Sequence, residues 1–295
     1  MKYQIEENII KIFSKDQFNP THFLECGQVF CFKKEGEKYI VFPQDKYAEI
    51  TEKNDYFEIK VLKKGDISYF IDFFDLKTDY NEIKKELFNF NIMHKPLDFG
   101  YGIRILNQDL FETLVSFIIS ANNNIKRIKM ILNNLRQHLG KPMYKDIYSF
   151  PTYENMLACD ENFFKKMGSG YRASYLFKVL RQINPNDLQE MKKLSTAHLQ
   201  QRLISLSGIG PKVADCIMLF GFHREDVFPV DTWIHQMYNQ FYSPLENRNQ
   251  IRKNLIDEFG KLSGYAQQYL FYYQRDFISK SWNFAFLDVK RFKLF

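Results

Sequence analysis

The chain has 295 residues, of which 45% are hydrophobic and 26% are charged, so its composition is that of a folded globular protein and excludes disordered and collagen-like classes. Its 41 basic and 35 acidic side chains leave a formal net charge of +6, which permits an anionic partner such as nucleic acid without requiring one. At ~150 residues per domain, the length predicts about two domains.

Neither export nor membrane insertion is expected. The amino-terminal residues include two glutamates where a signal peptide needs an unbroken apolar run, and no stretch approaches the ~18 to 20 apolar residues of a transmembrane helix. The four cysteines, Cys26, Cys31, Cys159 and Cys216, form no CxxC pair, which leaves zinc ribbons and common iron–sulfur patterns unsupported. We therefore expect reduced thiols in a cytoplasmic protein that needs no metal or cofactor.

The first ~75 residues are predicted to form β-strands. Aromatic and β-branched runs at residues 29–32 and 39–42 flank a polar turn at 34–37, and runs at 48–51 and 56–62 flank another at 52–55. This alternation of strand formers and polar turns is typical of hairpins. A small antiparallel sheet is therefore expected in this part of the chain.

From about residue 78 the apolar side chains recur at helical spacing. The spacing predicts helices at residues 80–88, 108–120, 125–139, 152–158, 161–166 and 172–182, with further helices to about residue 274. The expected fold is α+β. An antiparallel sheet domain, residues 1–95, packs on a mostly α-helical domain, residues 96–295.

Two of these later helices flank a short glycine-rich turn. Residues 196–206 precede it and residues 213–221 follow it, with Gly208, Gly210 and Pro211 between them. A Gly-x-Gly turn lets backbone amides approach a ligand closely, and the free N–H groups of the second helix suit a phosphate oxygen. A plain helical turn in which the glycines are only caps is the alternative; the proline and lysine that follow favour DNA-backbone contact.

Lys212 is the first candidate for chemistry, because it lies near the start of the second helix. Positive potential there favours the neutral amine, which is the nucleophile in Schiff-base reactions, and Cys216 shares its helix face. Asp231 is a natural N-cap for a helix predicted at residues 232–242. A fixed carboxylate can hold charge or shuttle protons during glycosidic cleavage. A lysine that only touches phosphate and an aspartate that only caps remain the alternatives.

These residues carry a family resemblance. Residues 207–216, followed by Val230 and Asp231, resemble the helix-hairpin-helix DNA glycosylases, and within them the 8-oxoguanine DNA glycosylase/lyases of the eukaryotic type. Further matches fall in the family's order at residues 27–30, 120–125, 170–173 and 264–267. The resemblance implies a monomeric base-excision repair enzyme that acts on double-stranded DNA without metal. Reduced cysteines and abundant Lys, Asn, Ile and Phe fit an AT-rich prokaryotic genome, so we expect the protein to act on nucleoid DNA in a prokaryotic cytoplasm.

The resemblance also implies the catalytic roles. Lys212 would attack the deoxyribose C1′, and Asp231 would assist base loss and help to activate the amine. The resulting imine would permit β-elimination, which nicks the strand 3′ to the lesion.

A pocket for the flipped base is implied in the same way. Gln267 would read the Watson–Crick edge, while Phe271 and Cys216 would stack on its two faces. The Gly27 carbonyl would accept the hydrogen that N7 carries only in 8-oxoguanine. One hydrogen bond made or lost in a dry pocket is worth roughly 1–3 kcal/mol, so this contact would separate the lesion from guanine.

A third implied set faces the gap left by base extrusion, where cytosine is the expected opposite base: Asn122, Arg127, Tyr171 and Arg172. The asparagine and the two arginines would contact the orphaned cytosine, and the tyrosine would wedge the stack. Two features depart from the family. Trp233, counted among the DNA-binding residues, stands where histidine is common, and Ser169 lies between two glycines where an apolar residue is usual.

Three alternatives are weighed against this interpretation. Another glycosylase of the superfamily would act on a different base, but no four-cysteine cluster follows Cys216, and alkylpurine glycosylases usually lack the lysine. A non-catalytic helix-hairpin-helix module would explain the hairpin but not Asp231 and Gln267 together. A small-molecule enzyme is disfavoured, because no dinucleotide or P-loop motif is present.

Overall fold

The computed structural model describes residues 1–278. Its strands in the amino-terminal part are β1 (Tyr3–Glu6), β2 (Ile9–Ile12), β3 (Phe32–Glu35), β4 (Lys38–Val41), β5 (Ala48–Glu52) and β6 (Phe57–Val61). They form one six-stranded sheet in the order β1-β2-β6-β5-β4-β3, and every neighbouring pair is antiparallel. The predicted antiparallel sheet is therefore confirmed.

The hairpin of β3 and β4 begins later than predicted. Phe32 pairs with Val41 and Glu35 with Lys38, which leaves a two-residue turn in which Gly36 has φ of +60°. Residues 29–31 are buried but are not strand, because Val29 and Cys31 pack into the sheet core while Phe30 packs into the helical core. Burial on two sides produced an apolar run that resembles a strand.

Helices interrupt the amino-terminal part and make up most of the remainder. The first four are α1 (Pro20–Glu25), α2 (Ile67–Phe73), α3 (Tyr80–Leu87) and α4 (His94–Phe99). They are followed by α5 (Leu110–Ser120), α6 (Ile125–Leu139), α7 (Tyr153–Leu157), α8 (Glu161–Phe164), α9 (Arg172–Gln182) and α10 (Pro185–Met191). The last are α11 (Thr196–Ile204), α12 (Pro211–Phe220), α13 (Thr232–Phe241), α14 (Arg248–Phe259) and α15 (Ser263–Tyr273). A second, two-stranded sheet contains β7 (Pro142–Tyr144) and β8 (Ile147–Tyr148).

Most predicted helices agree with the structure, and three short ones, α1, α2 and α4, were missed. Helices α6 and α9 match their predicted bounds, whereas the predicted helix at 161–166 ends at Phe164, since a π-helical turn with a non-helical Gly168 follows. Helices α1 and α2 were not predicted, and they correct the view that the first 75 residues are all strand. Both are short and α2 is rich in aromatic residues, so local pattern alone did not separate them from strands.

Two large clusters of buried apolar residues form the cores of the sheet and of the helical part. The sheet core draws its residues from Ile10 to Leu76 and adds Leu106, while the helical core begins at Tyr80 and adds Cys26 and Phe30. Packing thus passes to the helical part before residue 95, and the division at that residue stays a prediction. Residues 279–295 of the predicted second domain lie outside the described residues. Across residues 1–278, no helix has the length and apolar character needed to span a membrane.

Candidate active site

Helices α11 and α12 form the hairpin predicted around Gly208. Gly208 has φ of +81°, and an ideal Cβ there would lie 2.4 Å from Cγ of Tyr175. Gly208 is therefore required by the protein's own packing. Gly210 is the N-cap of α12 with extended φ and ψ of −90° and 176°, and no atom of the described chain lies within 4 Å of an ideal Cβ there. The space in front of Gly210 is open to a ligand.

Lys212 projects from the first turn of α12 and is partly buried. Its Nζ lies 5.9 Å from the ring centroid of Phe117, and Cys216 lies one turn further on with 3% of its surface exposed. Burial raises the pKa of the Cys216 thiol to about 11 in spite of the opposing effect of Lys212. Cys216 is therefore a neutral thiol at pH 7 and presents an apolar surface beside the amine.

The charge of Lys212 differs from the sequence-based expectation. Burial is the largest single influence and lowers the pKa of Lys212, but a side-chain hydrogen bond with Cys216 and the charges of Asp231 and Asp215 oppose burial, and the net shift of the pKa is upward. At neutral pH the side chain is an ammonium. The expectation of a neutral amine was wrong for the free protein, because these partners outweigh burial.

Asp231 begins α13, as predicted. Its Oδ1 accepts a hydrogen bond of 2.9 Å from the N–H of Ile234, which makes it the N-cap. The same carboxylate raises the pKa of Lys212. The cap and the influence on the lysine are therefore both present in one fixed group.

An ion pair that sequence reasoning missed lies behind the hairpin. Asp215 is fully buried and accepts bonds of 2.5 and 2.9 Å from Nε and Nη2 of Arg252 and 2.8 Å from Gln200. The three residues tie α12 to α14 and α11. A charged residue within an otherwise apolar helix face was the available signal, but its partner is distant in sequence.

The predicted base-reading residues lie on α15 and on the loop after α1. Gln267 is 5% exposed, and its Oε1 has no hydrogen-bond partner within residues 1–278. Gly27 has φ of +89°, and an ideal Cβ there would lie 3.4 Å from Cε1 of Phe271 and 3.8 Å from Cδ1 of Ile125. The fold thus brings the Gly27 loop, α15 and the start of α6 together.

Helix α15 also packs against the hairpin. An ideal Cβ on Gly264 would lie 2.4 Å from Cδ1 of Leu219 near the end of α12. Cys216 and Phe271 belong to the same apolar core, in which Phe271 is partly buried. The hairpin with Lys212 and the helix with Gln267 are therefore neighbouring walls of one region.

The residues predicted to face the orphaned base also come together. Tyr171 is 53% exposed, and its hydroxyl donates to the Ala121 carbonyl at 3.2 Å. Asn122 has a left-handed φ of +48°. Arg127 is exposed and donates to the Gly168 carbonyl at 3.2 Å. An exposed aromatic ring beside an exposed arginine is a surface suited to an opened base pair.

Arg172 occupies this region differently from its predicted role. Only 4% of it is exposed, and its guanidinium donates to the carbonyls of Ala121 and Asn122 at 2.6 to 2.8 Å. It also lies 4.4 Å from the ring centroid of Tyr171. In this structure Arg172 holds the Asn122 turn and Tyr171 in place, and its own contact with DNA stays a prediction.

The two departures from the family pattern lie near these groups. Trp233 is partly buried and is the second residue of α13. Ser169 is fully buried, and its hydroxyl finds no partner in the described part of the chain. A small residue fits there because both flanking glycines have positive φ. No group of three or more His, Cys, Asp and Glu side chains suited to a metal occurs in the described residues.

Comparison with known proteins agrees with this geometry. Residues 10–114 match the 8-oxoguanine DNA glycosylase N-terminal domain family, and residues 115–261 match the HhH-GPD superfamily of base excision DNA repair proteins. The fold and the hairpin site therefore define a helix-hairpin-helix DNA repair protein.

Two relatives with similar sequences are named N-glycosylase/DNA lyases. The chain is 30% identical over 230 residues to a probable N-glycosylase/DNA lyase of Methanothermobacter thermautotrophicus, covering 68% of this chain and 72% of that protein. It is 36% identical over 170 residues to the N-glycosylase/DNA lyase of Saccharomyces cerevisiae, covering 52% of this chain but only 45% of the yeast protein.

A solved structure matches over nearly its whole length. The 8-oxoguanine glycosylase/lyase of Clostridium acetobutylicum, in complex with double-stranded DNA containing cytosine opposite 8-oxoguanine, shares 35% identity with a TM-score of 0.88. The match covers 94% of this chain and 98% of that one. The chain belongs to the 8-oxoguanine DNA glycosylase/lyase family.

Proposed function

We propose that this protein removes 8-oxoguanine from duplex DNA and nicks the resulting abasic strand through a Schiff base on Lys212. The observation that carries the proposal is the placement of Lys212 on the hairpin helix, with Asp231 acting on its charge and a pocket-forming helix packed beside it. Family membership and the Clostridium relative's DNA complex support the substrate.

The reaction begins with a proton transfer, because Lys212 is an ammonium in the free protein. Transfer of that proton to solvent water frees the amine lone pair to attack C1′ of the deoxyribose. The C1′–N9 bond breaks, and its electron pair leaves with the base, which is then protonated. Asp231 opposes the loss of the lysine proton, but it favours the attack and the cleavage of the C1′–N9 bond, since its fixed negative charge stabilises the positive charge that develops on the amine and on the sugar.

Strand nicking follows from the covalent intermediate. Ring opening of the sugar gives an imine between Lys212 and C1′, which makes the C2′ hydrogens acidic. Removal of one C2′ proton breaks the bond from C3′ to the 3′ phosphate oxygen, and the phosphate leaves with that electron pair. Hydrolysis of the imine then returns the lysine. No redox step occurs.

The pocket discriminates by hydrogen-bond polarity. The buried Oε1 of Gln267 has no donor within residues 1–278, and a buried acceptor without a donor costs free energy. The N1–H and N2–H groups of a flipped 8-oxoguanine are such donors. The Gly27 carbonyl would accept the N7–H of the lesion, whereas normal guanine presents an acceptor there. Cys216 and Phe271 would pack against the two faces of the base.

On the opposite strand, Asn122 and Arg127 would contact the orphaned cytosine while Tyr171 fills the gap in the stack. Arg172 contributes by holding the turn at Ala121 and Asn122, whose carbonyls accept its hydrogen bonds. The Gly210 turn would bind the phosphate backbone, and Trp233 could donate one indole N–H to a phosphate without supplying charge. Action as a monomer in a prokaryotic cytoplasm stays a prediction.

The test separates base release from binding. A duplex with one 8-oxoguanine opposite cytosine is incubated with the protein, and the free base and the nicked strand are quantified separately. Release of the base and nicking on this duplex, with neither on an undamaged duplex, support the proposal. Salt-sensitive binding without release of any base would identify a non-catalytic DNA clamp instead.

A further inference from the structure

The glycine that would read N7 lies between two residues whose positions are fixed by buried side-chain amides. Gly27 follows Cys26, whose carbonyl accepts a 3.1 Å bond from Nε2 of Gln268. It precedes Gln28, whose own carbonyl accepts a 2.8 Å bond from Gln108. Gln28 and Gln268 are 0% and 1% exposed, respectively. The peptide unit before Gly27 and the peptide unit after Gln28 are thus held by side-chain amides of other segments.

Gln28 joins the loop to the segment before α5. Its Nε2 donates to the carbonyls of Phe23 at 3.0 Å and Arg104 at 2.6 Å. Its Oε1 accepts from the N–H of Leu106 at 2.9 Å. Donor and acceptor of the amide are both used, and they fix both the position and the orientation of the side chain.

Gln268 joins the same loop to helix α15. It is the residue after Gln267, whose Oε1 is unpartnered among the described residues, and it precedes Phe271 by less than one turn of α15. One amide of this pair is therefore available to a base and the other is committed to the backbone of Cys26. Gln267 and Gln268 are adjacent on α15. The bond from Gln268 to the Cys26 carbonyl therefore fixes the position of Gln267 relative to the loop that contains Gly27.

We propose that Gln28 and Gln268 are positioning residues for lesion discrimination: they fix the Gly27 carbonyl relative to α15 so that it meets N7 of the flipped base. This inference rests on the proposed function. Gly27 has a left-handed φ of +89°. Because glycine is conformationally permissive, the direction of its carbonyl depends on the contacts that hold the neighbouring residues. A hydrogen bond weakens steeply when its distance or angle departs from a narrow range. Loss of the hydrogen bonds made by Gln28 or by Gln268 therefore lowers the selectivity for 8-oxoguanine over guanine.

The test uses the near-isosteric change Gln268→Met, which removes the donor to Cys26 and keeps the side-chain volume. Three quantities are measured: kcat/KM for 8-oxoguanine excision, the ratio of Kd values for duplexes with guanine and 8-oxoguanine, and nicking of a preformed abasic site. We expect the first two to fall about tenfold, which corresponds to ~1.4 kcal/mol. Abasic-site nicking stays near the wild-type rate, because it does not use the base pocket.

Gln17→Met is the matched control. Gln17 is also buried, and its Oε1 accepts from the N–H of Tyr80 at 3.2 Å, which is not one of the hydrogen bonds described for Gln28 and Gln268. This variant loses stability but keeps the Kd ratio. Gln28→Met is the second variant, and thermal unfolding and circular dichroism establish whether it folds. If it folds, its Kd ratio falls like that of Gln268→Met.

Two outcomes overturn the inference. One is an unchanged Kd ratio in Gln268→Met; the other is an equal loss of excision and abasic-site nicking, which marks a merely structural role. Failure of the proposed function gives a different pattern, since the wild-type protein itself would then neither release 8-oxoguanine nor prefer the lesion duplex.

Discussion

The carboxylate of Asp231 caps helix α13 through the N–H of Ile234 and also raises the pKa of Lys212 on helix α12. The cap fixes the carboxylate, so its effect on the lysine does not depend on a mobile side chain. The charge that stabilises the ammonium also delays the loss of its proton. Under the proposed function, Lys212 must therefore lose this proton before it attacks the sugar.

Replacing Asp231 with asparagine separates these two roles, because asparagine is also a good N-cap. We expect the fold to remain and the rate of base release to fall by about 10²–10⁴-fold, the usual contribution of a positioned acid–base group. The pKa of Lys212 falls when the negative charge is removed. The rise of imine trapping with pH on preformed abasic DNA therefore shifts to lower pH.

The control for this change is Asp231→Ala, which loses the cap as well and lowers the free energy of unfolding by ~0.5–2 kcal/mol. Base release by Asp231→Asn at the wild-type rate, measured under single turnover, would contradict the role of the carboxylate.

The two hairpin glycines are predicted to respond differently to alanine. Gly208→Ala places a methyl group against Tyr175 with positive φ, so its thermal unfolding temperature falls. Gly210→Ala meets no atom of the described chain and leaves unfolding unchanged, while DNA affinity falls because the methyl group occupies the phosphate's approach. Equal DNA affinity in Gly210→Ala and wild type would argue against phosphate contact at this turn.

The neighbouring residues Gln267 and Gln268 make a second pair. Gln267→Leu removes a buried acceptor that is unpartnered among the described residues, so the free energy of unfolding does not fall, whereas 8-oxoguanine binding weakens. Gln268→Leu removes a satisfied group and leaves the Cys26 carbonyl without its donor, at a cost of ~1–3 kcal/mol. Urea unfolding measures the free energy of unfolding of both variants. A destabilised Gln267→Leu protein would mean that its amide already has a structural partner.

The buried pair of Asp215 and Arg252 supports the hairpin from behind. Arg252→Met leaves a buried carboxylate with only Gln200 and is expected to cost ~3–5 kcal/mol; the added change Asp215→Asn restores part of the loss. Burial already raises the pKa of Asp215, and Arg252 opposes that rise. The native variant therefore binds the Asp215 proton more tightly than the unfolded chain does.

The tighter binding of the Asp215 proton in native Arg252→Met sets the sign of the pH dependence of its stability. The variant loses stability relative to wild type as pH rises from the ordinary aspartate value of 3.8. Urea unfolding at several pH values checks this. A stability difference that does not change with pH would show that the carboxylate is not the cause.

Local pattern predicted the elements that carry the chemistry. The helix at residues 125–139 and the hairpin around Gly208 follow from apolar spacing and turn residues. The cap at Asp231 follows from its place before a helix. What could not be predicted depends on distant partners. Arg172 is buried because the carbonyls of Ala121 and Asn122 face it, and the charge of Lys212 depends on groups from other segments.

The central claim is that Lys212 forms a covalent Schiff base with the lesion strand. Sodium borohydride trapping on a duplex with one 8-oxoguanine opposite cytosine tests it most directly, beside an undamaged duplex and the Lys212→Gln variant. A covalent protein–DNA band only with wild-type protein and lesion DNA is the predicted result. Base release without a trapped band, or a band of equal strength with Lys212→Gln, would contradict the assignment of this lysine as the nucleophile.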